Sequence, residues 1–374
     1  MGDISSPKEE HLLVLIPWAV NDILDSLKKK FPYIKITVYA QQRVNRKIVS
    51  APIPDDAWKD ITILITLFTL PPDPSLAPNL HLVHVLSAGV DRLYSSPIWK
   101  ETDIAITNSS GVHGPQIAEW IILQTLSHFH RQKLLLELQS QHVWGSDKVP
   151  REQQDGVGQT FGVLGYGAIG RQAARVADAL GFNVIAFTAT PKKTPESKKD
   201  RGYIVPRTGD PDGSIPSAWY SGLDKAALHE FLLQDIDVLL VSVPLTPETT
   251  HLLAKDEFEI LGRRNAFIIN VSRGKVLEQK DLIAALKKYS ESGATGAATV
   301  GAPGLRGAAL DVTDPEPLPA DSELWDLKNV VVTPHISARG SSNVQRSFQI
   351  VEQNLTRIAE GKTLLNVVNR SKGY

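Results

Sequence analysis

Apolar residues in this chain fall in short runs separated by polar turns. His11–Pro17, Asp60–Phe68 and Leu82–Leu86 are such runs, Ile34–Tyr39 alternates apolar and polar, and Ile104–Thr107 is shorter. Their lengths suit buried strands. Asp22–Lys30 has helical character, and Pro71–Pro78 reads as a Pro-rich turn. Strands alternating with helical segments predict a parallel α/β unit.

The pattern then changes. Pro115–Arg131 is a strongly apolar helix with Pro near its start, and it carries the chain into a second unit. From Thr160 the α/β rhythm restarts. Phe161–Leu164, Asn183–Thr188, Val238–Val243, Ala266–Asn270, Ala308–Asp311 and Val330–Thr333 read as parallel strands. Ser342–Glu360 is amphipathic and is expected to fold back on the first unit. Two segments lack periodicity: the polar Lys192–Tyr220 and the Gly/Ala-rich Ser290–Gly307. Both are expected to be mobile surface loops.

The strand at Thr160–Leu164 runs into Gly165, Gly167 and Gly170, with Ala168 and Ile169 between the last two. Strand, G-x-G-x-x-G and helix together make a cradle for a dinucleotide pyrophosphate. Gly165 permits the turn, Gly167 lets backbone approach the phosphates, and Gly170 lets helix pack on strand.

Composition narrows the partners. The 374 residues suffice for two domains, at roughly 150 residues each. Lys+Arg 40 against Asp+Glu 41 gives a net charge of −1, so no global field favours nucleic acid or an anionic membrane. No cysteine is present, which excludes disulfides, thiolate metal sites and Cys nucleophiles. The N-terminal segment lacks a secretory pattern, and no apolar run reaches the roughly 18 residues needed to span a bilayer. A cytoplasmic location is expected.

About 20 residues past the glycines, a site for NAD would carry Asp or Glu to accept from the ribose hydroxyls. Here Thr188, Ala189, Thr190, Pro191, Lys192 and Lys193 follow the strand. The hydroxyls and ammonium groups suit a 2′-phosphate, so NADP (as NADPH) is favoured, with NAD possible. Three further motifs end later strands: INVSRG with Arg273, ALDVTDPEPLP with Asp311 and Glu316, and VTPHIS with His335. In open α/β sheets ligands bind at these strand ends. No His/Asp cluster has metal-ligand spacing, and no metal is expected.

The ordered set GYGAIGR, VPLTPETTHLL, INVSRG, ALDVTDPEPLP and TPHISA resembles the D-isomer-specific 2-hydroxyacid dehydrogenase family, as do SAGVDRL and NSSGVHGPQIAEW nearer the N-terminus. The resemblance runs from about Asp60 to Val368. It implies two Rossmann-like/flavodoxin-like parallel-sheet domains with a cleft between them. Residues 112–336 would be the dinucleotide-binding domain, and 1–111 with 337–374 the substrate-binding domain.

The same resemblance assigns roles. His335 would be the general acid, Glu316 its partner that stabilises the imidazolium, and Arg273 the anchor for the substrate carboxylate. Backbone N–H groups of Ala88 and Gly89 would bind the carboxylate's other side. Asp311 and the carbonyl of Val271 would orient the nicotinamide carboxamide, while Pro244, Thr246 and Thr249 would flank the adenosine. It also implies a homodimer.

The implied activity is NADP(H)-dependent reduction of 2-oxo acids to D-2-hydroxy acids. The loop Leu67–Pro71, with Phe68, is bulky and apolar, so branched aliphatic or aromatic 2-oxo acids are expected, with glyoxylate or hydroxypyruvate as the alternative. From another class, a nucleotide-sensing, corepressor-like binding protein is the rival reading. Formate dehydrogenase is disfavoured, since that branch pairs its His with Gln and this chain offers Glu316.

Overall fold

A computed structural model describes residues 9–44, 47–49, 53–149, 153–292 and 303–374. The chain divides into two compact units. Met1–Val112, Arg201–Tyr203 and Ser341–Tyr374 form the first; His113–Asp200 and Ile204–Gly340 form the second.

In the first unit β1 (Glu10–Ile16) and β2 (Ile34–Ala40) are followed by a short antiparallel pair, β3 (Gln42–Val44) and β4 (Lys47–Val49). Then come β5 (Ile63–Thr66), β6 (Leu82–Val85) and β7 (Ala105–Asn108). The main sheet runs β2-β1-β5-β6-β7, all parallel. Period two splits β1 between its faces: Leu12, Val14 and Ile16 point to one, Leu13 and Leu15 to the other. Leu24 and Leu27 of helix Asn21–Lys30 cover the first face, joined by Phe348, Val351 and Leu355 of the last helix, Asn343–Ala359. Trp58, Leu80 and Ile98 cover the second. With both faces buried, polar alternation has no role in β1, which is why it reads as one apolar run.

The second unit holds a seven-stranded sheet. Its strands are β8 (Thr160–Leu164), β9 (Asn183–Thr188), β10 (Ala218–Ser221), β11 (Val238–Val241), β12 (Phe267–Asn270), β13 (Gly307–Leu310) and β14 (Val330–Val332). The order is β10-β9-β8-β11-β12-β13-β14, with every pairing parallel. Val238 and Leu240 face one core while Leu239 and Val241 face the other. Helix Gly114–Phe129 buries Ile117, Ala118 and Ile121 against the first of these. Parallel strands place all their C-terminal ends on one edge, where β8, β9, β11, β12, β13 and β14 deliver the motif residues.

The expectation of a loose loop over Lys192–Tyr220 is corrected. The segment contains a short helix, Pro195–Lys198, and ends in β10, which pairs with β9 from Ala218↔Ile185 to Ser221↔Thr188. It is also stitched to the helix Ala168–Ala179. Buried Arg171 donates through Nη1 to Asp210 O (2.5 Å) and through Nη2 to Lys198 O (2.6 Å), and Gly209 N donates to Gln172 Oε1 (2.6 Å). Tyr166, inside the glycine motif, donates its hydroxyl to Asp210 Oδ2 at 2.8 Å, and its ring meets Trp219 edge-on. The order comes from side-chain-to-backbone bonds, which leave no hydrophobic period to read.

Of the second segment expected to be loose, residues 293–302 lie outside the described residues. Its beginning continues the helix Gln279–Glu291, and near its end Leu305 and Arg306 are buried.

Candidate active site

The loop joining β8 to the helix Ala168–Ala179 has the geometry of an anion cradle. Gly165 adopts φ +101°, a left-handed value that favours glycine. A Cβ on Gly170 would lie 2.4 Å from Gly165 O and 2.7 Å from Val163 Cγ1, so helix and strand approach only because none is there. At Gly167 a Cβ would meet nothing within 4 Å, so the backbone borders open space. Gly167 is the N-cap, and the first-turn N–H groups of Ala168, Ile169 and Gly170 have no partner within the helix. Bare backbone, open space and a helix N-terminus fit a dinucleotide pyrophosphate.

At the end of β9, Thr188 Oγ1 donates to Thr190 O at 2.9 Å, closing the turn that leads to Lys192 and Lys193. No carboxylate occurs from Thr188 to Pro195. Of the lysines further along, Lys198 lies over the Trp219 ring and Lys199 pairs with Glu196 at 2.9 Å. After β11, Thr249 Oγ1 donates to Pro244 O (2.7 Å) and accepts from Thr246 N (2.8 Å), locking that loop on itself.

After β12, Val271 N donates to Val241 O at 3.3 Å and so stays in register with the sheet. Asn270 then organises the turn. Its Oδ1 accepts from Ser272 N and Oγ, and its Nδ2 donates to Arg273 O. Half-buried Arg273 donates through Nη1 to Ser272 O at 2.8 Å.

After β14, His335 takes φ +54°, and its Nδ1 lies 2.8 Å from Glu316 Oε1. With Nδ1 on a carboxylate, Nε2 is the nitrogen left to meet a reacting atom. The turn is held by Asp311. Its Oδ1 accepts from Thr333 Oγ1 (2.6 Å) and Ile336 N (2.8 Å), and its Oδ2 from Ser337 N (2.9 Å) and Ser337 Oγ (2.5 Å). His335 N donates to Asp311 O at 2.9 Å. A carboxylate offers about four acceptor positions, and buried Asp311 commits all of them to the turn that carries His335.

In the first unit, Ala88 and Gly89 follow β6. Asn108 Nδ2 donates to Ala88 O and Ser87 Oγ to Gly89 O, both at 2.9 Å. Asn366 Nδ2 in turn donates to Asn108 O (3.0 Å) and Ser110 O (2.9 Å). Beneath this loop, burial pushes His84 down to about 3, so the ring is neutral; its Nδ1 lies 2.9 Å from Thr107 Oγ1. The loop after β5 carries Phe68, half-buried, with the Arg92 guanidinium 4.7 Å from its ring centroid. The expected apolar wall therefore carries a cation. Sequence reasoning does not single out Arg92, Asn108, Asn366, Tyr166 or Asp210; only an Asn closing a strand, as in TNSS, hints at a structural acceptor. Among the described residues no group of three His, Asp or Glu side chains could hold a metal ion, and no helix is long and apolar enough to cross a membrane.

A glycine cradle at the strand ends of a parallel sheet defines a dinucleotide-binding α/β protein. The family model for the NAD binding domain of D-isomer specific 2-hydroxyacid dehydrogenases matches residues 122–207 and 215–337, and the chain belongs to that family. It is an NAD(P)-dependent oxidoreductase acting on CH–OH donors. It is similar to a glyoxylate reductase of Korarchaeum cryptofilum, 27% identical over 328 residues, which cover 83% of this chain and 84% of the relative. Among solved structures it is similar to a D-isomer specific 2-hydroxyacid dehydrogenase of Xanthobacter autotrophicus in complex with NADPH and MES (25% identity, 97% and 99% coverage, TM-score 0.71). It is also similar to the NADPH-dependent glyoxylate/hydroxypyruvate reductase of Sinorhizobium meliloti in complex with NADP and sulfate (26% identity, 98% and 100% coverage, TM-score 0.70).

Proposed function

We propose that the protein is an NADPH-dependent 2-oxo acid reductase yielding D-2-hydroxy acids, with His335, Glu316 and Arg273 as its catalytic residues. The observation that carries this reading is the 2.8 Å contact of His335 with Glu316, in the unit that bears the glycine cradle. Reduced nicotinamide, when bound, supplies the hydride. His335 Nε2 gives its proton to the carbonyl oxygen as negative charge develops there. Glu316 accepts from Nδ1 and holds the ring in that tautomer. Arg273 binds the substrate carboxylate and polarises the carbonyl. The N–H groups of Ala88 and Gly89 bind the carboxylate's other side; their peptide planes are fixed through Ser87 O, which accepts from Ser109 N, and Ala88 O, which accepts from Asn108 Nδ2. The cradle residues Gly165, Gly167, Ala168, Ile169 and Gly170 hold the pyrophosphate. Thr188, Thr190 and Lys192 read the 2′-phosphate, Pro244, Thr246 and Thr249 flank the adenosine, and Val271 O meets the carboxamide. Asp311 acts on that side through Ser337 and the turn it anchors.

For the substrate, an apolar C3 substituent resting on Phe68 is our first reading. Glyoxylate and hydroxypyruvate are the second, favoured by the similarity to reductases of those acids. We further propose a cytoplasmic homodimer; dimerisation through the second unit fits the exposed Leu123, Leu135, Leu136 and Trp144. The deciding experiment follows NADPH and NADH oxidation side by side with 2-oxoisocaproate, phenylpyruvate, hydroxypyruvate and glyoxylate. Turnover of any of these acids with NADPH supports the activity. Strong preference for hydroxypyruvate over 2-oxoisocaproate overturns the apolar reading, and no turnover overturns the whole.

A further inference from the structure

Phe68 and Arg92 stand on adjacent strand ends of the first unit. Phe68 lies in the loop after β5, Arg92 in the turn Asp91–Leu93, three residues past Gly89. Both supports are fixed. Thr69 N donates to Thr66 Oγ1 (2.9 Å) and Gln41 Nε2 to Thr69 Oγ1 (2.7 Å), which locks the loop beside Phe68. Buried Leu93 pins the turn beside Arg92. The guanidinium lies 4.7 Å from the ring centroid. A guanidinium over an aromatic ring uses its face for the contact, and its N–H donors stay in the plane of its edge. Arg92 is exposed and, among the described residues, makes no ion pair with a carboxylate. An aromatic surface for methylene groups thus stands beside a guanidinium that has no carboxylate partner among the described residues, a short way along the chain from the N–H groups of Ala88 and Gly89.

Resting on the reading of Ala88 and Gly89 as carboxylate binders, we propose that Arg92 is a specificity-determining residue that selects 2-oxo acids bearing a second, terminal carboxylate. The C2 carboxylate meets the Ala88–Gly89 loop. The methylene stem lies on Phe68, and the far carboxylate pairs with the Arg92 edge. The chemical class is the 2-oxo dicarboxylic acids of five or six carbons, whose stem is apolar and whose end is anionic.

The test uses two acids that differ only at the far end, 2-oxoadipate and 2-oxohexanoate, with NADPH and the full chain. The readout is the ratio between their kcat/KM values, which a general loss of folding or catalysis does not move. The wild type is expected to favour 2-oxoadipate by about tenfold, the worth of one charge-assisted pair. Arg92→Leu should abolish that preference by weakening the binding of the dicarboxylic acid, seen as a higher KM with unchanged kcat, and Arg92→Lys should retain part of it. A wild type that favours 2-oxohexanoate, or a ratio unmoved in Arg92→Leu, overturns the assignment while leaving the reductase reading intact. Absence of NADPH oxidation with both acids and with glyoxylate overturns that reading and this one together.

Discussion

Glu316 Oε1 lies 2.8 Å from His335 Nδ1, although 19 residues separate the two in the chain. Asp311 closes the remaining distance by tying residues 333–337 into one turn. If His335 is the proton donor, His335→Ala should cut kcat by about 10²–10⁴-fold and leave the NADPH dissociation constant unchanged. Glu316→Gln should cut kcat less, because the amide still accepts through its oxygen. Cofactor fluorescence titration beside steady-state kinetics separates the two effects. Collapse of NADPH affinity in His335→Ala would make the residue structural.

Tyr166 links the glycine motif to the segment Lys192–Tyr220. Burial, then the hydrogen bond and charge of Asp210, push its hydroxyl upward, so it remains a donor across the accessible pH range. Asp210 is buried and also accepts from Ser214 N and Ile215 N. Tyr166→Phe should therefore lower the unfolding free energy by about 1–3 kcal/mol, the cost of an under-satisfied buried acceptor. Arg171→Ala should in addition expose residues 199–216 to trypsin under native conditions. Rapid native cleavage of the wild type in that stretch would refute the docked arrangement.

Acid should weaken the fold in two stages. Burial pushes His84 down to about 3, and burial followed by the Arg306 and Arg131 charges holds His128 well below its ordinary value. Below about pH 6.5 the unfolded chain gains protons that these folded-state rings refuse, so stability falls as pH falls. Glu257 adds a second stage. Burial acts to raise its carboxyl, but hydrogen bonds from His229, Lys225 and Ala254 N, with the Lys225 charge, outweigh burial and hold it low. Its contribution is complete above its ordinary 4.5 and is lost as pH drops through the lower folded value. Urea titrations from pH 7 to 3 should show both declines. His84→Asn should flatten the first and Glu257→Gln the second; unaltered slopes in both variants would sink this account.

How much of the fold is legible in the sequence depends on what makes each element. β1, β8 and β11 are buried on both faces, so they stand out as unbroken apolar runs. The glycine spacing is legible because each position is defined by local backbone: φ at Gly165, close packing at Gly170. Edge strand β10 is not, since its AWYS sequence is only half-buried and its place depends on pairing with β9. Asp210 reads as an ordinary loop aspartate; only the fold brings Tyr166 to it. Arg92 escapes notice for the same reason, because its stack on Phe68 joins two loops that the sequence keeps apart.

The proposed preference for NADPH offers the sharpest test by a change of one residue. Thr188 ends β9 and spends its hydroxyl on Thr190 O, which leaves the segment up to Lys193 with the Thr190 hydroxyl, two ammonium groups and no carboxylate. An Asp at this point would accept from the ribose hydroxyls and repel a 2′-phosphate. Thr188→Asp should raise the NADH-to-NADPH ratio of kcat/KM by about tenfold or more, chiefly through a higher KM for NADPH. Lys192→Ala and Lys193→Ala should weaken NADPH alone. Added salt should raise the wild-type KM for NADPH more steeply than that for NADH, since the 2′-phosphate contact is the screened one. A ratio that stays put in Thr188→Asp would mean the 2′-phosphate is read by groups outside the turn after β9, and the lysine variants would then leave both cofactors equally well bound.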